Sequence, residues 1–90
     1  LNTTGSYNIG IGGSALWSHT VGYYNIALGG LALGLNIDGE RNIAIGYNSL
    51  AQNTKDHNTA IGFNAGGTNN GSSNVFLGYY AGYNESGSNS

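Results

Sequence analysis

Five times along the chain an asparagine is followed by an aliphatic or β-branched residue, a small residue, a second aliphatic residue and a glycine. The segments start at Asn8, Asn25, Asn42, Asn58 and Asn74 and read NIGIG, NIALG, NIAIG, NTAIG and NVFLG, at spacings of 17, 17, 16 and 16 residues. Gly12, Gly29, Gly46, Gly62 and Gly78 form an unbroken column four residues after the asparagines. Ile11, Leu28, Ile45, Ile61 and Leu77 form an aliphatic column just before it, and Ala15, Ala32, Ser49, Ala65 and Ala81 a small one just beyond. Alternation with period two within each segment predicts a short strand with its larger aliphatic side chains on one face.

The residue between the aliphatic pair is Gly10, Ala27, Ala44, Ala60 or, exceptionally, Phe76. Small residues there predict that another backbone packs closely on that face. Each glycine predicts a bend. A second apolar patch follows, as in Ala15-Leu16, Leu31-Ala32-Leu33 and Leu50-Ala51, and then a polar turn such as Asn53-Thr54-Lys55-Asp56 or Asn69-Asn70-Gly71-Ser72. Strand, bend, strand and turn within 16 residues is one rung of a solenoid, and a repeat of this length is the mark of such architectures. The fold class expected is therefore all-β: a β-solenoid (β-roll or β-helix) of five 16–17-residue rungs, with residues 1–90 forming one repeat domain. Stacking would set equivalent positions about 4.8 Å apart. The asparagines Asn8, Asn25, Asn42, Asn58 and Asn74 would then form a ladder of side-chain amides, as in stacked cross-β structures.

A 16-residue rung encloses a thin core, and the Ala/Gly face calls for a partner. A parallel homotrimer with a shared axial core meets both needs; the alternative is that the small column packs on the second strand of its own rung. The chain opens on Asn2-Thr3-Thr4-Gly5 and closes on Glu85-Ser86-Gly87-Ser88-Asn89-Ser90, both resembling inter-rung turns rather than caps. With no initiator Met and no signal-peptide pattern at its start, it is expected to be a section of a longer fibre.

The Asn-x-Ala-Ile-Gly pattern, as in Asn42-Ile43-Ala44-Ile45-Gly46 and Asn58-Thr59-Ala60-Ile61-Gly62, resembles the head repeats of trimeric autotransporter adhesins. With Tyr47-Asn48-Ser49-Leu50-Ala51-Gln52-Asn53 following, it is similar to repeats of bacteriophage tail fibres and tail spikes. The resemblance spans residues 7–84. It implies a trimeric β-roll in a virion tail fibre or at an extracellular cell surface, serving as a shaft that presents a receptor-binding tip. The departures are Phe76 among the small mid-strand residues Gly10, Ala27, Ala44 and Ala60, and Gly66 and Gly82 where Leu16, Leu33 and Leu50 stand.

Composition narrows the chemistry. Two basic and four acidic residues, for a net charge of −2, leave no electrostatic footprint for nucleic acid. No apolar run is long enough for a membrane span, so no insertion is expected. Without cysteine there is neither a disulfide scaffold nor a thiolate metal site. His19 and His57 fall in turns two rungs apart, and Asp38-Gly39-Glu40 lacks the oxygen ligands of a calcium loop. Gly10-Ile11-Gly12-Gly13-Ser14-Ala15 fits a dinucleotide fingerprint by letter only, because no βαβ unit surrounds it. The sequons at Asn2, Asn70 and Asn84 follow from composition. No catalytic, metal or cofactor site is expected, and the chain is not expected to be an enzyme.

The aromatic residues carry the remaining promise. Tyr47, Phe63 and Tyr79 share the column after the glycine, where the first two rungs have Gly13 and Gly30; Tyr80 and Tyr83 lie close by. Tyr7, Tyr23, Tyr24 and Trp17 are further candidates for stacking. Rung-to-rung aromatic stacking is one role for these rings. Tyr47, Tyr79, Tyr80 and Tyr83 are alternatively contacts for a cell-surface glycan or protein receptor, because tyrosine offers a flat apolar face with a hydroxyl.

Overall fold

The computed structural model describes residues 7–17, 22–35, 39–52, 55–68 and 71–83. Five three-residue strands, β1 (Ile9–Ile11), β2 (Ile26–Leu28), β3 (Ile43–Ile45), β4 (Thr59–Ile61) and β5 (Val75–Leu77), form one parallel sheet in chain order. The register is that of the repeat: Gly10 pairs with Ala27, Ala27 with Ala44, Ala44 with Ala60 and Ala60 with Phe76. The chain is a β-solenoid of about four turns.

Each strand ends on a glycine of the column with φ between +123° and +138°. A Cβ on Gly46 would lie 2.6 Å from the Gly62 oxygen, and one on Gly62 2.5 Å from that of Gly78. Conformation and close approach both require glycine here.

The apolar patch beyond the glycine is two overlapping tight turns, not the second strand expected. In the first, Ala15, Ala32, Ser49, Ala65 and Ala81 donate their backbone N–H to the glycine carbonyl three residues earlier. The second is closed in the same way by Trp17 onto Ser14, Gly34 onto Leu31, Gly67 onto Asn64 and Tyr83 onto Tyr80. Each turn needs positive φ at its third residue, as in type II turns. Ser14, Leu31, Asn48, Asn64 and Tyr80 supply it for the first turn, and Leu16, Leu33, Leu50, Gly66 and Gly82 for the second. The turns also stack. Leu16 donates to the carbonyl of Ala32, Leu33 to that of Ser49, Leu50 to that of Ala65 and Gly66 to that of Ala81.

Leucine with φ near +50° costs about 1–2 kcal/mol relative to glycine. Burial offsets that: Leu33 and Leu50 are fully buried, and the sheet's Ala27, Ala44 and Ala60 complete the same core. Burying a leucine contributes roughly 1.5–3 kcal/mol. A Cβ on Gly10 would sit 2.9 Å from Leu16 Cδ1, so the small strand residue and the turn leucine fill one space between them. The Ala/Gly face is therefore covered by the rung's own turn. The partner expected on this face is not required by the fold; the opposite face, with the larger aliphatic residues, is the open one.

Candidate functional site

The asparagines lie in register along the sheet, and Asn25, Asn42, Asn58 and Asn74 are fully buried. Their contacts differ from a chain of amide-to-amide bonds. Each Oδ1 accepts the backbone N–H of the next asparagine: Asn8 from Asn25, Asn25 from Asn42 and Asn42 from Asn58 at 2.9 Å, and Asn58 from Asn74 at 3.0 Å. Each Nδ2 donates to the carbonyl three residues ahead of that neighbour, on Gly22, Gly39, Lys55 and Gly71 for Asn8, Asn25, Asn42 and Asn58. The asparagine carbonyls in turn accept from Ile9, Ile26, Ile43 and Thr59 of the preceding rung. A primary amide is suited to this place because it offers an acceptor and a donor without charge. Asn25 Nδ2 also approaches Asn8 Oδ1, at the longer distance of 3.2 Å. A second amide pair lies elsewhere, in the turns, where Asn48 Nδ2 donates to Asn64 Oδ1.

The aromatic column is a stack. Tyr47 and Phe63 have ring centroids 5.4 Å apart, Phe63 and Tyr79 5.5 Å, with planes within 18° of parallel. Tyr80 meets Tyr79 edge-on at 4.7 Å and Tyr83 at a tilt of 42° and 5.0 Å. All four tyrosines expected as receptor contacts thus join one cluster around Phe63. The faces of Phe63 are taken by its neighbours. Tyr79 is the most open ring of the cluster, 75% exposed. Thr68 adds a tie across the turns by donating its hydroxyl to the Tyr83 carbonyl. The Gly30 backbone lies under Tyr47, since a Cβ there would meet Tyr47 Cδ2 at 3.2 Å.

The outward strand face is apolar. Ile9, Ile11, Ile61, Val75 and Leu77 are exposed, and Ile26, Leu28, Ile43, Ile45 and Thr59 half-buried. Charge is kept off it. The four charged residues described, Glu40, Arg41, Lys55 and Asp56, lie with His57 on the corner just before the asparagine ladder. There Arg41 pairs with Glu40 at 3.0 Å, and Asp56 Oδ1 accepts the Glu40 backbone N–H at 2.9 Å. The Arg41 guanidinium also lies 5.6 Å from the Tyr24 ring centre.

His19, Asp38, Asn53, Asn69 and the sequons at Asn2, Asn70 and Asn84 lie outside the described residues. Among the described residues there is no cavity and no group of three or more His, Asp or Glu that could hold a metal ion. The left-handed leucines and the exposure of the aliphatic face are the features that sequence reasoning missed. Gly66 and Gly82 in the column of Leu16, Leu33 and Leu50 were the available sign of positive φ. Comparison with protein-family models, with curated proteins and with solved structures gives no match.

Proposed function

We propose that this chain is a stiff segment of a trimeric fibre, five rungs long, that spaces or presents a receptor-binding tip. The resemblance to phage tail-fibre and adhesin repeats supports a fibre on a virion or at an extracellular surface. One observation carries the proposal: the outward strand face is apolar, uncharged and open, while all the charges described lie on another corner. A contiguous apolar patch on a repetitive sheet is the mark of an interaction surface. Three such faces meeting on a common axis would bury it, with the charged corner turned to solvent. The ladders would then resist stretching and fraying.

Light scattering tests this reading, with a mass of three chains expected. Ile43→Lys combined with Ile61→Lys is expected to reduce the mass to one chain and to leave the circular dichroism of the coil in place, because both positions point away from the core. A wild-type chain that stays monomeric at every concentration would sink the trimer.

The openness of Tyr79 favours a second role for the same segment, as an adhesin surface that stacks a sugar ring on this tyrosine. Glycan binding is then expected to fall by up to about tenfold in Tyr79→Ala, the loss of one stacking contact of roughly 0.5–1.5 kcal/mol. The trimer mass should be unchanged. Binding indifferent to this change would rule out the ring as a contact.

A further inference from the structure

Tyr7 and Tyr24 are 17 residues apart in the chain, yet their rings lie 5.1 Å apart with planes only 4° from parallel. The asparagine that follows each one holds them there, through the bond from the Asn25 N–H to Asn8 Oδ1. Both rings are accessible, 76% and 48% exposed, on the corner that carries the charges. Phe63 separates Tyr47 from Tyr79, and a ring without a hydroxyl forms no phenoxyl radical. The other close tyrosine pairs, Tyr79 with Tyr80 and Tyr80 with Tyr83, are near neighbours in sequence and inclined at 60° and 42°. Tyr23 meets Tyr24 edge-on at 68°, again between adjacent residues. Among the described residues, Tyr7 and Tyr24 are the one stacked pair of tyrosines on neighbouring turns.

We propose that Tyr7 and Tyr24 form a site of oxidative cross-linking, where a one-electron oxidant joins them as dityrosine and staples two turns of the solenoid. The oxidant class is a haem peroxidase with hydrogen peroxide. Each phenol loses one hydrogen atom, and the unpaired spin reaches the carbon ortho to the oxygen. A carbon–carbon bond forms between the two ortho carbons, and each ring returns to the phenol as its ortho hydrogen moves to oxygen. The net change breaks two ring C–H bonds and makes one C–C bond. The two electrons and two protons released reduce one peroxide to two waters. Exposed side chains change rotamer within nanoseconds, so the stacked rings can pivot into the coupling geometry without disturbing the backbone. The staple depends on the coil alone and not on the fibre reading.

The test is to treat the folded protein with peroxidase and hydrogen peroxide and then digest it with trypsin. The expected product is the peptide ending at Arg41, lighter by two hydrogen atoms and carrying dityrosine fluorescence. Tyr7→Phe and Tyr24→Phe should each abolish it, and Tyr23→Phe should not. Coupling in the folded chain should exceed that in urea on the order of tenfold or more, because the fold holds the rings together. An unchanged peptide, equal yields folded and denatured, or a link only between chains would each overturn the proposal.

Discussion

Replacing Asn42 with alanine is expected to cost the folded chain about 1.5–4.5 kcal/mol, read as a lower denaturant midpoint. The side chain is fully buried and satisfies two backbone groups of the next rung, the N–H of Asn58 at 2.9 Å and the carbonyl of Lys55 at 2.8 Å. Alanine leaves the buried Asn58 N–H unsatisfied, at roughly 1–3 kcal/mol, and removes a partly buried bond to the Lys55 carbonyl that contributes about 0.5–1.5 kcal/mol. A domain of this length has a total stability of about 5–13 kcal/mol, so the loss is a large share of the whole. An exposed ion pair such as Arg41–Glu40 contributes at most about 1 kcal/mol by comparison.

Asn42→Asp separates the two halves of the amide. The acceptor for Asn58 survives, but an ionised carboxylate at this fully buried position would set a second oxygen against the Lys55 carbonyl. Only the protonated acid can donate there, so folding raises the pKa of the introduced carboxyl above its unfolded value. A raised pKa gives stability that is complete below the unfolded value and lost as pH rises through the folded one. Asn42→Asp is therefore expected to be less stable at pH 7 than at pH 4, relative to wild type, whereas Asn42→Ala shows no such slope. Parallel pH profiles for the two variants would contradict the side-chain-to-backbone ladder.

The stacking of like residues was legible in the sequence because five copies agree in their columns, and parallel in-register pairing is the arrangement that superposes them. The strand positions follow from period-two alternation. What alternation leaves open is which face is inside. Larger aliphatics usually face the core, yet here Ala27, Ala44 and Ala60 do so while Ile11 and Ile61 are exposed. The reason is room. With Leu33 or Leu50 projecting from the turn into a thin rung, an isoleucine opposite would not fit. The turns were hidden for a related reason, because leucine is a poor marker of positive φ. The aromatic cluster was legible as a shared column, but its face-to-face stacking depends on the rung spacing. That stacking leaves Tyr79 as the most open ring of the four tyrosines.

The division of space between strand and turn gives the second large effect. Phe76 replaces the small strand residue in β5, and glycine replaces leucine in the turns it meets. A Cβ on Gly82 would lie 2.0 Å from Phe76 Cε1, and one on Gly66 2.7 Å from Phe76 Cδ2. The ring thus occupies the volume that turn leucines fill in the earlier rungs. Phe76→Ala alone is expected to destabilise the coil by about 3–5 kcal/mol through the cavity it leaves. Gly82→Leu alone overpacks the rung against the ring and adds the left-handed penalty, for a loss of about 2–5 kcal/mol. The double variant restores the pairing of Ala27 with Leu33 and of Ala44 with Leu50, so its loss should be smaller than that of either single change. Recovery stays partial because the space beside Gly66 is still unfilled. A double-mutant cycle by chemical denaturation measures this coupling, which should then exceed the larger single loss, at more than about 3 kcal/mol, the upper end of what residues sharing one cavity show. Simple additivity of the two losses would mean that Phe76 and Gly82 do not share a space. The account of the solenoid core as one volume divided between strand and turn would then fail.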